Sequence, residues 1–120
     1  MGELAHARPL RREERALLEF LLAADFPGKE ILASQSANLE VVRECDCGCG
    51  TVNFRGAESA PQASVREPIP VEAYGVGVEV LLFVRGGYLR SLEVVHHSDP
   101  VSASYPAVEK LHLWIPGTPR

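Results

Sequence analysis

The segment from Val76 to His97 holds two apolar runs on either side of Gly86-Gly87, and nothing else in the chain limits its fold as tightly. In both runs the apolar residues alternate with others, the period of a strand. The glycines between them supply the left-handed backbone that a tight hairpin needs. A three-residue loop with a left-handed glycine pairs Leu82 with Leu92, Val80 with Val94 and Val78 with His96. That register gathers Val78, Val80, Leu82, Val84, Leu92 and Val94 on one face. The opposite face mixes Leu81, Phe83, Leu89 and Val95 with Glu79, Ser91 and Glu93. A face of that composition is partly buried, or is covered by a helix or a partner.

Two helices are expected ahead of this hairpin. Leu17, Leu18, Leu21 and Leu22 form one apolar stripe, predicting an amphipathic helix over 10–25. Pro9 and Glu13-Glu14 suit its entrance, and Asp25-Phe26-Pro27-Gly28 ends it because Pro27 forces Phe26 out of helical geometry. A shorter helix is expected over 29–37, with Ile31, Leu32 and Gln35 on one face and Asn38 as its exit. The period then changes. Residues 39–45 and 51–55 read as two strands of a first hairpin with Cys47 to Gly50 near its tip. Gly56, Pro61, Pro68 and Pro70 break the next stretch into a loop, and Leu111–Ile115 reads as a short last strand stopped by Pro116-Gly117. The fold class expected is α+β, with two N-terminal helices packed on an antiparallel meander of four to five strands. One domain is expected over 1–120, with 1–9 a mobile lead-in and 56–70 a loop.

A chain of 120 residues can bury one core without disulfide or metal support. Twelve Lys and Arg against sixteen Asp and Glu give a net charge of −4, which argues against a nucleic-acid partner. The basic cluster Arg8, Arg11, Arg12 and Arg15 alternates with Glu13, Glu14 and Glu19, the pattern of a solvated helix face. Charges run through residues 1–15 where a leader would have a continuous apolar core, and no apolar run approaches a membrane span. The expectation is a cytoplasmic protein with no membrane partner.

All three cysteines fall in Cys45-Asp46-Cys47-Gly48-Cys49-Gly50. An odd number excludes a complete disulfide framework, and thiols stay reduced in the cytoplasm. Zinc wants four Cys or His ligands in a tetrahedron. Cys45, Cys47 and Cys49 supply three, and the fourth would come from His96, His97 or His112, with His96 the candidate. Single-residue spacers and the lack of a second cysteine pair weigh against that set. The plainer reading makes Cys45 a core-facing strand residue and Cys47 and Cys49 small residues that shape a turn. A thiol enzyme is a third reading, opposed by the charge of Asp46 and by the absence of a local nucleophile signature.

Other motifs carry less. His96-His97-Ser98-Asp99 places two histidines and a carboxylate together, but neighbours on a strand point to opposite faces. Asp99-Pro100 starts a turn. Gly75-Val76-Gly77 is not a phosphate loop, since a strand rather than a helix follows it. Scattered carboxylates, Glu40, Glu44 and Glu93 among them, form no pair across a cleft. Tyr105 and Trp114 are read as completing a small core rather than as exposed anchors for a partner.

The leucine-rich opening helix ending in Asp25-Phe26-Pro27-Gly28, the Cys-x-Cys-Gly-Cys segment and the hairpin running into Leu92-Glu93-Val94 resemble a group of small uncharacterised bacterial proteins. The resemblance covers residues 10–100 and implies a stand-alone domain, with no activity or cofactor attached. By elimination the sequence reads as a non-catalytic domain that acts through protein–protein interaction or regulation, as a monomer or a self-associating homodimer. Zinc binding by the cysteine cluster with His96 is the alternative, and a thiol-dependent enzyme the remaining one.

Overall fold

The computed structural model describes residues 2–45, 49–97 and 105–118. The chain opens with a strand, β1 (Gly2–Pro9), followed by two helices, α1 (Arg12–Leu22) and α2 (Lys29–Gln35). Six more strands follow: β2 (Glu40–Glu44), β3 (Val52–Arg55), β4 (Val71–Gly75), β5 (Val78–Arg85), β6 (Tyr88–His96) and β7 (His112–Trp114). Among the described residues these seven strands form one antiparallel sheet in the order β1-β2-β3-β6-β5-β4-β7.

This overturns the expected two N-terminal helices on a meander of four to five strands. The helices follow β1, the sheet has seven strands, and β3 lies beside β6 rather than β4. Residues 2–9, expected to be a mobile lead-in, are the edge strand β1. Two strands, β1 and β4, carry weak local signals. β1 is charged and ends in proline, both common at a sheet edge, and β4 is five residues long behind Pro68 and Pro70. Each is held by strands distant in sequence, which a local pattern does not reveal. Between Gly56 and Pro70 the chain forms neither helix nor strand.

The molecule is 20 Å thick in its thinnest dimension, two layers of secondary structure. The helices cover one sheet face. Val41, Val52, Phe54, Val71, Ala73, Val80, Leu82, Leu92 and Val94 point into it and are buried. They meet Leu17, Leu18, Leu21, Leu22 and Leu32 from the helices in one core.

The β5–β6 register matches the expected pairs Val78–His96, Val80–Val94 and Leu82–Leu92, but the loop differs. Arg85 pairs directly with Tyr88, leaving the two-residue loop Gly86-Gly87 with φ of +60° and +84°. Two successive positive φ values suit the primed hairpin turn that follows strand twist. A bulge absorbs the odd residue, because Phe83 faces Ser91 while Val84 faces Leu89. The bulge moves Leu89 to the helix-covered face, where it is buried, and away from the outer face expected for it.

β3 and β6 pair only at Val52–Leu92 and Asn53–Ser91, then part. Gln35 from α2 fills the gap. Its Oε1 accepts the Leu89 N–H at 2.9 Å, and its Nε2 donates to the carbonyls of Pro61 (2.7 Å) and Gly87 (2.8 Å). A buried side-chain amide thus satisfies backbone groups where the sheet ladder stops.

Candidate functional site

The cysteine segment closes the β2–β3 hairpin at one end of the sheet. The Cys45 N–H donates to the Thr51 carbonyl at 2.9 Å. Thr51 locks the segment to β6, its Oγ1 accepting the Val94 N–H at 3.0 Å. His96 Nε2 lies 3.0 Å from the Cys49 carbonyl, a contact that puts a proton on that nitrogen. The Cys49 thiol sits 3.4 Å from Thr51 Oγ1. The open end of the second hairpin therefore meets the tip of the first, a juxtaposition the sequence leaves undetermined. Cys45, Cys49 and His96 share this end, and Cys47 lies outside the described residues, as do Ser98, Asp99 and Pro100. Among the described residues no group of three His, Cys, Asp or Glu side chains is placed to hold a metal ion.

Beneath this segment lies a buried carboxylate. Glu14 is fully buried and receives four donors. Arg8 Nη1 and Nη2 each donate at 2.9 Å in a fork, the Arg11 N–H donates at 2.7 Å and the Tyr105 hydroxyl at 3.1 Å. Burial, the largest single influence, pushes the Glu14 carboxyl up. The Arg8 hydrogen bonds, the Arg11 N–H, the Arg8 charge and the Tyr105 hydroxyl together outweigh it and hold the carboxyl below its ordinary value. Burial and the neighbouring Glu14 charge push the Tyr105 hydroxyl up, so it stays a neutral donor. That hydroxyl also lies 2.7 Å from the Gly50 carbonyl, and its single proton serves either acceptor. Arg8 continues to Glu44 through Nε at 2.7 Å. A cavity of about 180 Å³ between Arg11, Glu44, Cys45, Gly50 and Tyr105 opens onto this cluster.

The basic cluster expected on one solvated helix face is thus divided. Arg8 belongs to β1 and forms the buried pair, while Arg11 and Arg12 are exposed. A signal for Glu14 was present. It occupies the first position of the stripe 14, 17, 18, 21, 22, the spacing of a core-facing helix edge. In chemical terms the cluster is a saturated structural strut: every Glu14 lone pair that faces a donor is used.

Two further features are the sheet face away from the helices and a cleft at the gap between β3 and β6. Opposed residues of antiparallel strands share a face, and the register defines rows across this one. One row is Glu93, Leu81, Glu72 and Trp114; the next is Val95, Glu79, Tyr74 and His112. The Tyr74 and His112 rings sit 5.6 Å apart. Toward the hairpin loop follow Ser91 with Phe83, then Tyr88 with Arg85. Where β3 leaves β6, a cleft of about 470 Å³ opens, with Arg55, Arg85, Arg90 and Tyr88 on its rim and Phe54 and Leu89 among its apolar walls. Arg55 pairs with Glu40 at 3.5 Å, whereas no ion pair among the described residues engages Arg85 or Arg90. Trp114, expected as core, is half-buried on this face and donates through Nε1 to the Thr118 carbonyl at 2.8 Å.

Comparison with protein-family models, curated proteins and solved structures returns no match. Among the described residues no helix is long and apolar enough to cross a membrane.

Proposed function

We propose that this chain is a non-catalytic binding module that receives another protein surface on its open sheet face. The observation that supports this most is the composition of the face. It carries Tyr74, Leu81, Phe83, Val95 and Trp114 at half-exposure across four adjacent strands, while both helices lie on the other side. Contiguous apolar and aromatic side chains rimmed by charge are the usual make-up of a protein contact surface. The polar clusters read as architecture by contrast, because the donors and acceptors around Glu14 satisfy one another.

Cross-linking in the producing cell, followed by capture, tests this reading. Wild type and Glu30→Lys, a change on the exposed side of α2, should retain the same partners, and Phe83→Glu should lose them. An identical set of captured proteins from all three, with each variant folded by circular dichroism, refutes the open face as the contact surface.

One observation favours a second reading, zinc held by Cys45, Cys47 and Cys49 with His96: the His96 ring rests on the cysteine segment. A structural zinc site is near-stoichiometric. Elemental analysis of protein purified without chelator supports this reading at about one zinc per chain and refutes it below roughly a tenth.

A further inference from the structure

We infer that the occupant of the open face is a second copy of this chain, packed face to face with its β5 and β6 running opposite to the first. This rests on the reading of that face as the contact surface and adds its partner and geometry. The outward residues of β5, in order, are Glu79, Leu81, Phe83 and Arg85. An acid stands at one end, a base at the other, and two apolar side chains lie between. Such a sequence is its own complement when reversed.

A two-fold axis crossing the strands at Leu82 reverses strand direction and keeps each strand over its own copy. Glu79 then faces Arg85 of the other protomer, and Leu81 faces Phe83. The neighbouring strand follows the same rule. Val95 meets Tyr88, whose level across the sheet is that of Arg85, and Glu93 lies over the level of Ser91, which is buried. Acid meets base, and apolar meets apolar. The alternative axis, parallel to the strands and lying over β5, would set Glu79 on Glu79 and Glu93 on Glu72 of the other protomer, so like charge opposes it. Face-to-face sheets pack about 10 Å apart, a spacing that lets Leu81 and Phe83 interdigitate.

The charges are available for this pairing. Arg85 is exposed with no carboxylate partner among the described residues. Among the described residues Glu79 has one ion-pair partner, the exposed His97 at 3.6 Å. β5 and β6 occupy the middle of the sheet order, where two twisted sheets stay in contact longest. The sheet face extends about 40 Å in each direction. Covering half of it buries roughly 800 Å² per copy, the size of a standard specific interface.

Sedimentation equilibrium with charge reversal tests the inference. Wild type should form a dimer at roughly 10–100 μM chain. The symmetry repeats each pair, so Glu79→Arg or Arg85→Glu alone removes two attractions and adds two repulsions. Each should raise the dimer Kd by about tenfold or more. The double variant, Glu79→Arg with Arg85→Glu, should return it to within about threefold of wild type. A wild type that remains monomeric to about 1 mM overturns self-pairing. So does a dimer indifferent to the single reversals, or one that the double variant fails to restore. A monomer whose captured partners still vanish with Phe83→Glu overturns the second copy while leaving the open-face reading intact. A monomer with no face-dependent partner overturns both.

Discussion

Replacing Glu14 with glutamine keeps the size of the side chain and removes its charge. The carboxylate accepts four hydrogen bonds of 2.7–3.1 Å, two of them from the Arg8 guanidinium. Glutamine keeps one oxygen, which still serves Arg11 N–H and one arm of Arg8. Its amide nitrogen turns two hydrogens toward the other arm of Arg8 and the Tyr105 hydroxyl. The hydroxyl can rotate to the Gly50 carbonyl, but the guanidinium arm cannot. Breaking one partner of a buried pair costs about 3–5 kcal/mol, and the oxygen that remains places this change near the lower figure, about 3 kcal/mol. For a chain of this length that is a fall of about 12 °C in Tm at pH 7, measurable by circular dichroism.

The pH dependence separates charge from shape. The folded-state pKa of Glu14 is below its ordinary 4.5. A depressed carboxylate contributes stability that is fully present above the unfolded value and is lost as pH falls through the folded one. Wild type therefore loses this contribution on acidification and the glutamine variant has none to lose. The gap between them narrows from pH 7 to pH 3. A gap below about 1 kcal/mol at pH 7, or one that stays constant to pH 3, refutes the account of Glu14 as a charged strut.

Other substitutions test neighbouring parts of the structure. Tyr105→Phe should cost about 1 kcal/mol, and a double-mutant cycle with Glu14→Gln should show coupling above about 0.5 kcal/mol; strict additivity would disconnect the two residues. In the hairpin turn, Gly86→Ala should cost about 1 kcal/mol, since a Cβ there meets nothing within 4 Å and only the left-handed backbone resists it. Gly87→Ala should cost at least about 3 kcal/mol, because its Cβ would strike the Ala63 carbonyl and Gln62 Cγ. Equal unfolding midpoints for the two would contradict the packing of residues 62–63 on this turn. Gln35→Leu strands the Leu89 N–H and the Pro61 carbonyl and leaves the Gly87 carbonyl with its bond from the Ala63 N–H alone, with an expected loss of about 2 kcal/mol in urea denaturation; a neutral change would show that water replaces the amide freely.

The features legible in the sequence were those governed by neighbours along the chain. Alternation fixes the outward and inward sets of β5, and the register of β5 on β6 follows from matching their apolar faces. The loop length between them does not follow, because a bulge at Leu89–Ser91 can exchange one loop residue for one strand residue without changing the apolar match. The leucine stripe of α1 is equally local, and taken one turn further back it contains Glu14. What the pattern does not hold is pairing at a distance. β1 is stabilised by β2 and by the Arg8 ion pairs, β4 by β5 and β7, and neither has the apolar density that marks a strand by itself. The strut was hidden for the same reason, since its members come from residues 8, 14, 44 and 105. The cysteine cluster was visible at once as a cluster, but the contact of His96 with Cys49 depends on β6 lying beside β3.

The short seam between β3 and β6 has a consequence for how the molecule comes apart. It divides the sheet into a unit of β1, β2 and β3 with both helices and a unit of β4 to β7. Each is continuous in sequence, and only two residue pairs of ladder join them. Cooperative units of unfolding tend to follow such contiguous segments. Amide hydrogen exchange should therefore resolve two foldons, with β5 and the inner half of β6 slowest. The amides of Asn53 and Leu89, at the seam, should exchange through a smaller opening that leaves both units intact. The side chains that cross it, Gln35, Thr51 and His96 among them, then act as latches beside the shared leucine core, and loosening one would widen the opening at the seam before either unit melts.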